Sequence, residues 1–285
     1  MTLISARVAA ARERLRAAAI PPDEADLDAR VLAERILDWD TARYLTHANE
    51  EEPEEFAGRF EALVARRAGR EPTAYIVGRR EFCGVDFQVT PAVLIPRPET
   101  ELIVEAALAA FSRSSGAIDI ADVGTGSGCL AVTLARERPA SRVLATDISS
   151  DALDVARLNA RRLGVASRVE LLETDLLNGV EREFDLIVSN PPYVPEHDRA
   201  QLQPEVRDYE PSRALFAGDD GLSVIRRLID QVPGRLKPEG RLIFEFGFGQ
   251  ADGIRTLLSN TRSMVLLDLR RDLQGIPRVA IASAN

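Results

Sequence analysis

The densest chemistry in the chain lies in Ser189-Asn190-Pro191-Pro192-Tyr193. The preceding run, Phe184-Asp185-Leu186-Ile187-Val188, reads as a buried strand, so Asn190 falls at the carboxyl edge of a sheet. Two prolines remove two backbone donors and set φ at about −65°. Each also biases the residue before it toward extended geometry, which stiffens Asn190 and Pro191. Their carbonyls lack ladder partners, and Asn190 adds a side-chain carbonyl. Convergent acceptors suit a substrate that presents an NH2 group, and Tyr193 can lay a flat ring over a planar one. The same residues also suit a plain strand-ending turn, where Asn and Pro are frequent.

A second constellation is Asp122-Val123-Gly124-Thr125-Gly126-Ser127-Gly128, set between a strand and a helix. Glycines let a backbone turn tightly and approach a ligand, and the helix start offers free N–H groups. The third glycine comes one residue too early for the dinucleotide spacing, which disfavours a pyrophosphate cradle. A ligand carboxylate suits the exposed amides. The next strand ends in Thr146-Asp147-Ile148, about 20 residues on, where an acidic side chain can hold ribose hydroxyls. Asp147 equally suits a helix N-cap, although Ser149 or Ser150 can supply that cap. Asp175-Leu176 closes the third strand: Asp175 can accept from an amino group and Leu176 can pack a ring, or Asp175 is a loop aspartate.

The elements that must position these groups alternate. Strands are expected at 118–123, 142–146, 168–173, 184–188 and 241–246, with helices at 128–137, 150–163, 221–235 and 250–258 between and after them. Two closing strands, 264–270 and 278–282, share a short turn through Gly275 and so must be antiparallel. The pattern predicts an α/β fold with a mostly parallel, doubly wound sheet. Ahead of it come helices at 3–19, with Ser5 as a possible cap, at 23–37 and at 53–68, the last opened by the carboxylates of Glu50–Glu55. A hairpin at 81–89 bridges to the main domain. The expected division is 1–72 helical, 73–95 linker and 96–285 the α/β domain. The stretch from Asn190 to Ala217 contains five prolines and little periodicity, and is expected to face substrate.

The bulk numbers narrow the classes. The 285 residues are 45% hydrophobic and 28% charged, as in a globular protein, with a net charge of −9 and a pI of about 5.0. That balance, with no Lys/Arg-rich tract, disfavours a broad nucleic-acid surface. His47, His197, Cys83 and Cys129 show no metal-ligand spacing. Two cysteines without a disulfide framework fit a reducing cytoplasm, and neither a signal peptide nor a membrane span is expected.

Taken together, these residues resemble the class I S-adenosylmethionine-dependent methyltransferases. More narrowly, they resemble the glutamine-N(5) methyltransferases of peptide chain release factors. The likeness rests on Leu94-Ile95-Pro96-Arg97-Pro98-Glu99-Thr100-Glu101, Asp122 to Gly128, Asp147, Asn190 to Tyr193, Glu210-Pro211, Ala214-Leu215, Gly218 with Gly221-Leu222, and Glu245-Phe246-Gly247 with Gln250. Asn-Pro-Pro-Tyr alone is shared with N6-adenine and other amino-group methyltransferases; the proline-rich block with Glu-Pro is more specific.

The resemblance implies a Rossmann-like seven-stranded sheet with an antiparallel C-terminal hairpin and an N-terminal helical substrate-recognition domain. It implies a cytoplasmic monomer, without nucleic-acid or membrane partners, that methylates the Gly-Gly-Gln glutamine of release factors 1 and 2. S-adenosylmethionine becomes S-adenosylhomocysteine. By the same resemblance Gly124, Thr125, Gly126, Ser127 and Gly128 cradle the methionine part of the cofactor. Asp147, with Ile148 beside it, takes the ribose, and Asp175 and Leu176 flank the adenine. Asn190, Pro191, Pro192 and Tyr193 hold the carboxamide, with Asn190, Pro191 and Tyr193 in catalytic roles. Phe246 stands where many relatives have histidine, which argues against acid–base work there.

Overall fold

The computed structural model describes residues 2–111 and 116–284. Contacts divide the chain into two units: residues up to Arg79 together with Gln203–Tyr209, and Arg80–Leu202 with the chain from Glu210 onward.

The first unit contains α1 (Ile4–Ala17), α2 (Pro22–Leu37), α3 (Thr41–His47), α4 (Phe56–Ala68) and α5 (Thr73–Val77). Apolar residues at helical spacing, among them Val8, Leu15, Leu32, Phe60 and Val64, meet in one fully buried core. Ser5 does not cap α1: Leu3 holds that position, and the Ser5 hydroxyl donates to Asn49 Oδ1 at 3.0 Å. The carboxylates of Glu50–Glu55 precede α4 rather than filling its first turn, and Glu52 is drawn off to Arg7 at 2.8 Å. Two helices escaped the sequence pattern. α3 is seven residues long and opened by Asp40, whose side chain accepts from Arg43 N; α5 occupies the stretch expected as linker.

A buried ion cluster explains why Gln203–Tyr209 belongs here. Arg67, only 3% exposed, donates to Asp28 Oδ2 at 2.6 Å and to Glu205 Oε1 at 2.8 Å. Arg70 donates to the other Glu205 oxygen at 2.7 Å, and Thr73 donates to Asp28 Oδ1 at 2.6 Å. Burial alone would raise Glu205, but hydrogen bonds from Arg67 and Arg70 outweigh it and hold the carboxyl below its ordinary value.

A hairpin follows, β1 (Arg79–Phe82), whose first residue ends the first unit, and β2 (Val85–Gln88), then a 3-10 turn at Pro98–Thr100 and α6 (Glu101–Ala110). Then come β3 (Asp119–Val123), α7 (Cys129–Glu137), β4 (Arg142–Asp147), α8 (Ser150–Arg162), β5 (Val169–Glu173) and β6 (Phe184–Ser189). After α9 (Pro204–Tyr209), which lies in the first unit, follow α10 (Ser223–Gln231), β7 (Leu236–Glu245), α11 (Ala251–Asn260), β8 (Met264–Arg271) and β9 (Pro277–Ala284). The sheet order is β5-β4-β3-β6-β7-β9-β8, parallel except for the pairings of β9. Alternate strand residues serve opposite faces: Ile120, Leu186 and Ile243 pack with α6 and α7, while Ala121, Ile187 and Leu242 pack with α10 and α11.

The sheet order reverses at β3, whose successors lie on opposite sides of it; such switch points open a crevice at the carboxyl edge. Register makes the edge level, with Val123 opposite both Thr146 and Ser189, and Ser189 opposite Phe244. Gly124, Asp147, Asn190 and Glu245 therefore emerge along one line. The long connection is not structureless. It contains 3-10 turns at Glu196–Gln201 and Ser212–Ala214, and Val194 bonds Leu215 and Ala217 at 2.8 and 3.0 Å, closing it into a loop.

Arg67→Ala would leave buried Asp28 without its cation and Glu205 with Arg70 alone, and should cost about 3–5 kcal/mol in equilibrium denaturation of the full chain. The share due to Glu205, whose native pKa is depressed, is present above the ordinary glutamate range and is lost as pH falls through the native value. Near-wild-type stability of the variant at pH 7 would contradict the role assigned to the cluster.

Candidate functional site

A cavity of about 270 Å³ lies at this edge. Gly124, Thr125, Gly126, Ser127, Asp147, Ile148, Asp175, Leu176, Asn190 and Pro192 line it, as do Thr100, Arg213 and Arg227. Gly128, Pro191 and Tyr193 are not among its lining residues.

The glycine loop is shaped from beneath. Gly124 N and Thr125 N donate to Thr146 O at 2.9 and 2.8 Å, and Gly126 N donates to Asp147 Oδ2 at 2.9 Å. Gly124 and Gly126 adopt φ of 75° and 54°, the left-handed region that favours glycine. Gly128 serves a different purpose: a Cβ there would sit 3.1 Å from Ala156 Cβ, so this glycine lets α7 start against α8. Asn159, fully buried on α8, donates to Ser127 O at 2.9 Å and exchanges hydrogen bonds with the Gln88 backbone, fixing the loop from behind. Asp122 lies under the loop and accepts from Thr125 Oγ1 at 2.6 Å and Ala131 N at 3.0 Å. Burial pushes its carboxyl up to about 7, against those two donors.

Asp147 accepts Ser149 N on its second oxygen at 2.9 Å, and Ser149, not Asp147, caps α8. Each Asp147 oxygen keeps a lone pair for hydroxyls. Asp175 is ion-paired with Arg227, so any amino group it accepts would share it with a guanidinium. Leu176 follows at φ 55°, a strained conformation for a leucine and one that presents it to the cavity.

At the other end, the Asn190 Nδ2 donates to Thr100 Oγ1 at 2.8 Å. Thr100 Oγ1 donates to Glu245 Oε2 at 2.7 Å, and the Tyr193 hydroxyl donates to Glu245 Oε1 at 2.9 Å. Thr100 and Glu245 are 2% and 1% exposed. Burial raises Glu245, and the hydroxyls of Thr100 and Tyr193 pull it back toward the ionised form. Burial also raises the Tyr193 phenol, reinforced by Glu245, so it stays protonated. Asn190 Oδ1 is buried with no hydrogen-bond partner.

The flanks of this network are tied down. Gln250 Nε2 donates to Tyr193 O at 2.9 Å and accepts Gly247 N at 2.7 Å. Glu210, its side chain 1% exposed, accepts Arg97 Nη2 at 2.5 Å and Ile95 N at 3.2 Å, joining the proline-rich block to Glu210-Pro211. Burial raises Glu210, opposed by Arg97.

Sequence reasoning assigned no role to Thr100, Glu245 or Asn159. Glu245 did leave a signal, a carboxylate closing the apolar run Leu242-Ile243-Phe244; Asn159 left none. Glu196 and His197 are exposed and lie outside the cavity. Among the described residues no group of three or more His, Cys, Asp or Glu is placed to hold a metal, and no helix is long and apolar enough to cross a membrane.

The cavity is lined by the loops after β3, β4 and β5 and by the corner after β6. The unpaired Asn190 oxygen fits a molecule bearing an N–H. Residues 8–78 match the PrmC N-terminal domain, and residues 100–206 match the Methyltransferase small domain. The chain is 45% identical to the "Release factor glutamine methyltransferase" of Cereibacter sphaeroides, over 96% of this chain and 95% of that one. It is 43% identical to the protein of the same name from Koribacter versatilis, over 90% of each. Among solved structures, a methyltransferase from Pyrococcus furiosus is similar in fold, with a TM-score of 0.52 at 19% identity, covering 71% of this chain and 90% of that one. A T. thermophilus 16S rRNA methyltransferase in complex with AdoMet and guanosine also has a TM-score of 0.52, at 17% identity, covering 72% of this chain and 48% of that one.

Gly221 supplies a direct test of the frame. Its φ is 70°, and a Cβ there would lie 2.2 Å from Tyr193 O and 2.7 Å from Gln250 Nε2. Gly221→Ala should displace the Tyr193 backbone and cost at least about 1–3 kcal/mol from strain alone. Denaturation and a crystal structure of the variant check this; an unmoved Tyr193 and unchanged stability would show that the contact carries no constraint.

Proposed function

The chain belongs to the release factor glutamine methyltransferases, and from that premise we propose that it methylates the side-chain amide nitrogen of a glutamine in peptide chain release factors, with S-adenosylmethionine as donor. The observation that carries this reading is the buried, unpartnered Oδ1 of Asn190, a residue that lines the cavity. An unpaired buried acceptor is costly, and a carboxamide N–H satisfies it.

The cofactor, when bound, supplies a methyl group activated on a sulfonium. The loop Gly124 to Ser127, whose amides at 124, 125 and 126 are already spent on Thr146 O and Asp147, packs against its methionine end, Asp147 takes its ribose, with Ile148 alongside, and Asp175 and Leu176 its base. An amide nitrogen is a poor nucleophile because its lone pair is delocalised into the carbonyl. Asn190 Oδ1 and the Pro191 carbonyl each accept one amide hydrogen, which turns the nitrogen toward the reacting carbon and raises its electron density. Pro192 stiffens this corner, and Tyr193, hydroxyl and carbonyl both anchored, fixes its far side. Fixed acceptors also stabilise the positive charge that develops on nitrogen. Most of the gain is positional, and well-oriented systems recover roughly 7–11 kcal/mol this way. The released proton leaves to solvent.

The helical unit is proposed to hold the protein substrate. Deleting it would strip Glu205 of both its cations, so the informative experiment keeps the chain whole. Hydrogen exchange should slow on the exposed faces of α1–α4 when a release factor is added, and stay unchanged with S-adenosylmethionine alone. Protection confined to the second unit would refute that role.

The main test supplies labelled S-adenosylmethionine, a release factor and control DNA, and locates the methyl group by mass spectrometry. Label on a glutamine side chain is expected, and label in the DNA would overturn the reading. Asn190→Ala should lower turnover at least about 10²–10³-fold, while cofactor affinity measured by calorimetry stays nearly constant.

A further inference from the structure

A carboxamide is nearly symmetric in shape, and turning it over exchanges its oxygen for its NH2. Asn190 can accept a substrate hydrogen only if the oxygen faces the cavity. We infer that Thr100 and Glu245 are positioning residues that dictate which end of the Asn190 carboxamide faces the cavity. The consequence for turnover rests on the glutamine-methylation reading; the orientation itself does not.

Glu245 is the fixed point. Two hydroxyls converge on its carboxylate, Tyr193 on Oε1 at 2.9 Å and Thr100 on Oε2 at 2.7 Å. A threonine hydroxyl has one hydrogen, and this one is committed to Glu245. Thr100 Oγ1 can therefore only accept from its other neighbour. The group at 2.8 Å from it must be a donor, so Asn190 turns its NH2 to Thr100 and leaves Oδ1 buried, with no partner among the described residues. The reversed amide would set oxygen against oxygen with no hydrogen between them, at a site where Thr100 is 2% exposed and water cannot relieve the clash. The polarity runs in one direction, from Asn190 to Thr100 to Glu245, and holds while Glu245 is a carboxylate. A hydrogen placed on Oε2 would release the hydroxyl of Thr100 to turn toward Asn190 and undo it.

Bulk and hydrogen bonding make opposite predictions at position 100. Thr100→Val keeps the shape and removes the acceptor, whereas Thr100→Ser keeps the hydroxyl and removes a methyl group. We expect kcat of T100V to fall about 10- to 100-fold with cofactor affinity unchanged, and T100S to recover most of the rate. Glu245→Gln can donate to Thr100, and should fall as T100V does. A T100V enzyme with wild-type kcat beside an impaired T100S would reduce Thr100 to a packing residue and overturn the inference.

A second measurement needs no turnover. The Asn190 side-chain amide resonances, assigned by their disappearance in Asn190→Asp, should include one proton strongly protected from solvent exchange in the wild type and in T100S, and unprotected in T100V. Unprotected Asn190 amide protons in the wild-type protein would overturn the orientation. If instead the wild-type enzyme leaves release-factor glutamine unmodified while this protection is present, the functional reading fails and the orientation stands.

Discussion

A carboxylate with no access to water organises the reacting corner. Glu245 closes the interior strand β7 and is 1% exposed, and its two oxygens receive hydroxyls from two separate stretches of chain. Thr100 comes from the proline-rich block before α6, and Tyr193 from the corner after β6. Moving a carboxylate out of water is expensive, and this one is held by two hydroxyls, with the charge of Arg278 helping from further off. Stability alone does not account for such a group, since an apolar side chain of similar volume would fill the space at lower cost. Its contribution is directional. Its two oxygens accept from Thr100 and Tyr193, which fixes the sense of the hydrogen bonds that lead to it.

The level carboxyl edge makes that contribution possible. β3, β4, β6 and β7 terminate in register, so the glycine loop, Asp147, Asn190 and Glu245 leave the sheet side by side. Their spacing is set by the sheet rather than by the loops. Short connections then need only local support: Thr146 O for the first loop amides, Asp147 for Gly126, Asn159 for Ser127, Gln250 for Tyr193. Most of these supports are side chains or carbonyls that already lie on regular elements, which gives them little freedom to drift.

Much of this was legible in the sequence, and the parts that were not share a physical cause. Alternating apolar runs and helical periods give the sheet, because burial on both faces leaves a strong pattern in Ile120–Val123 and Leu186–Val188. Proline and glycine mark the loops, because their backbone constraints are local. α3 was invisible: its seven residues include an exposed Leu45, so no apolar stripe distinguishes it from a loop. α5 is five residues long and was absorbed into the hairpin beside it. Within the site, the motifs marked most of the loop residues that line the cavity, while the roles of Thr100, Asn159 and Glu245 in holding them were not visible. Asn159 sits 32 positions from Ser127, and Thr100 is 145 positions from Glu245. A hydrogen bond between such distant positions leaves no period or spacing to detect. Gly128 shows the converse: the motif places it with the ligand loop, yet the space it clears is taken by Ala156.

Glu210 extends the logic of Glu245 to the next turn of chain. It too is buried, but a guanidinium reaches it, and its second oxygen takes the Ile95 amide. Arg97 and Thr100 are three residues apart, so the proline-rich block is gripped twice, by Glu210 at one end and Glu245 at the other. The two grips differ in kind. The first is an ion pair that tolerates some rotation of a long side chain, which suits holding a segment in place. The second passes through one hydroxyl hydrogen and admits one arrangement of the amide beyond it, which suits setting a reactive group. A block of sequence that looks like a rigid connector is thus the element through which a strand-end carboxylate controls the Asn190 side chain, 90 positions further along the chain from Thr100.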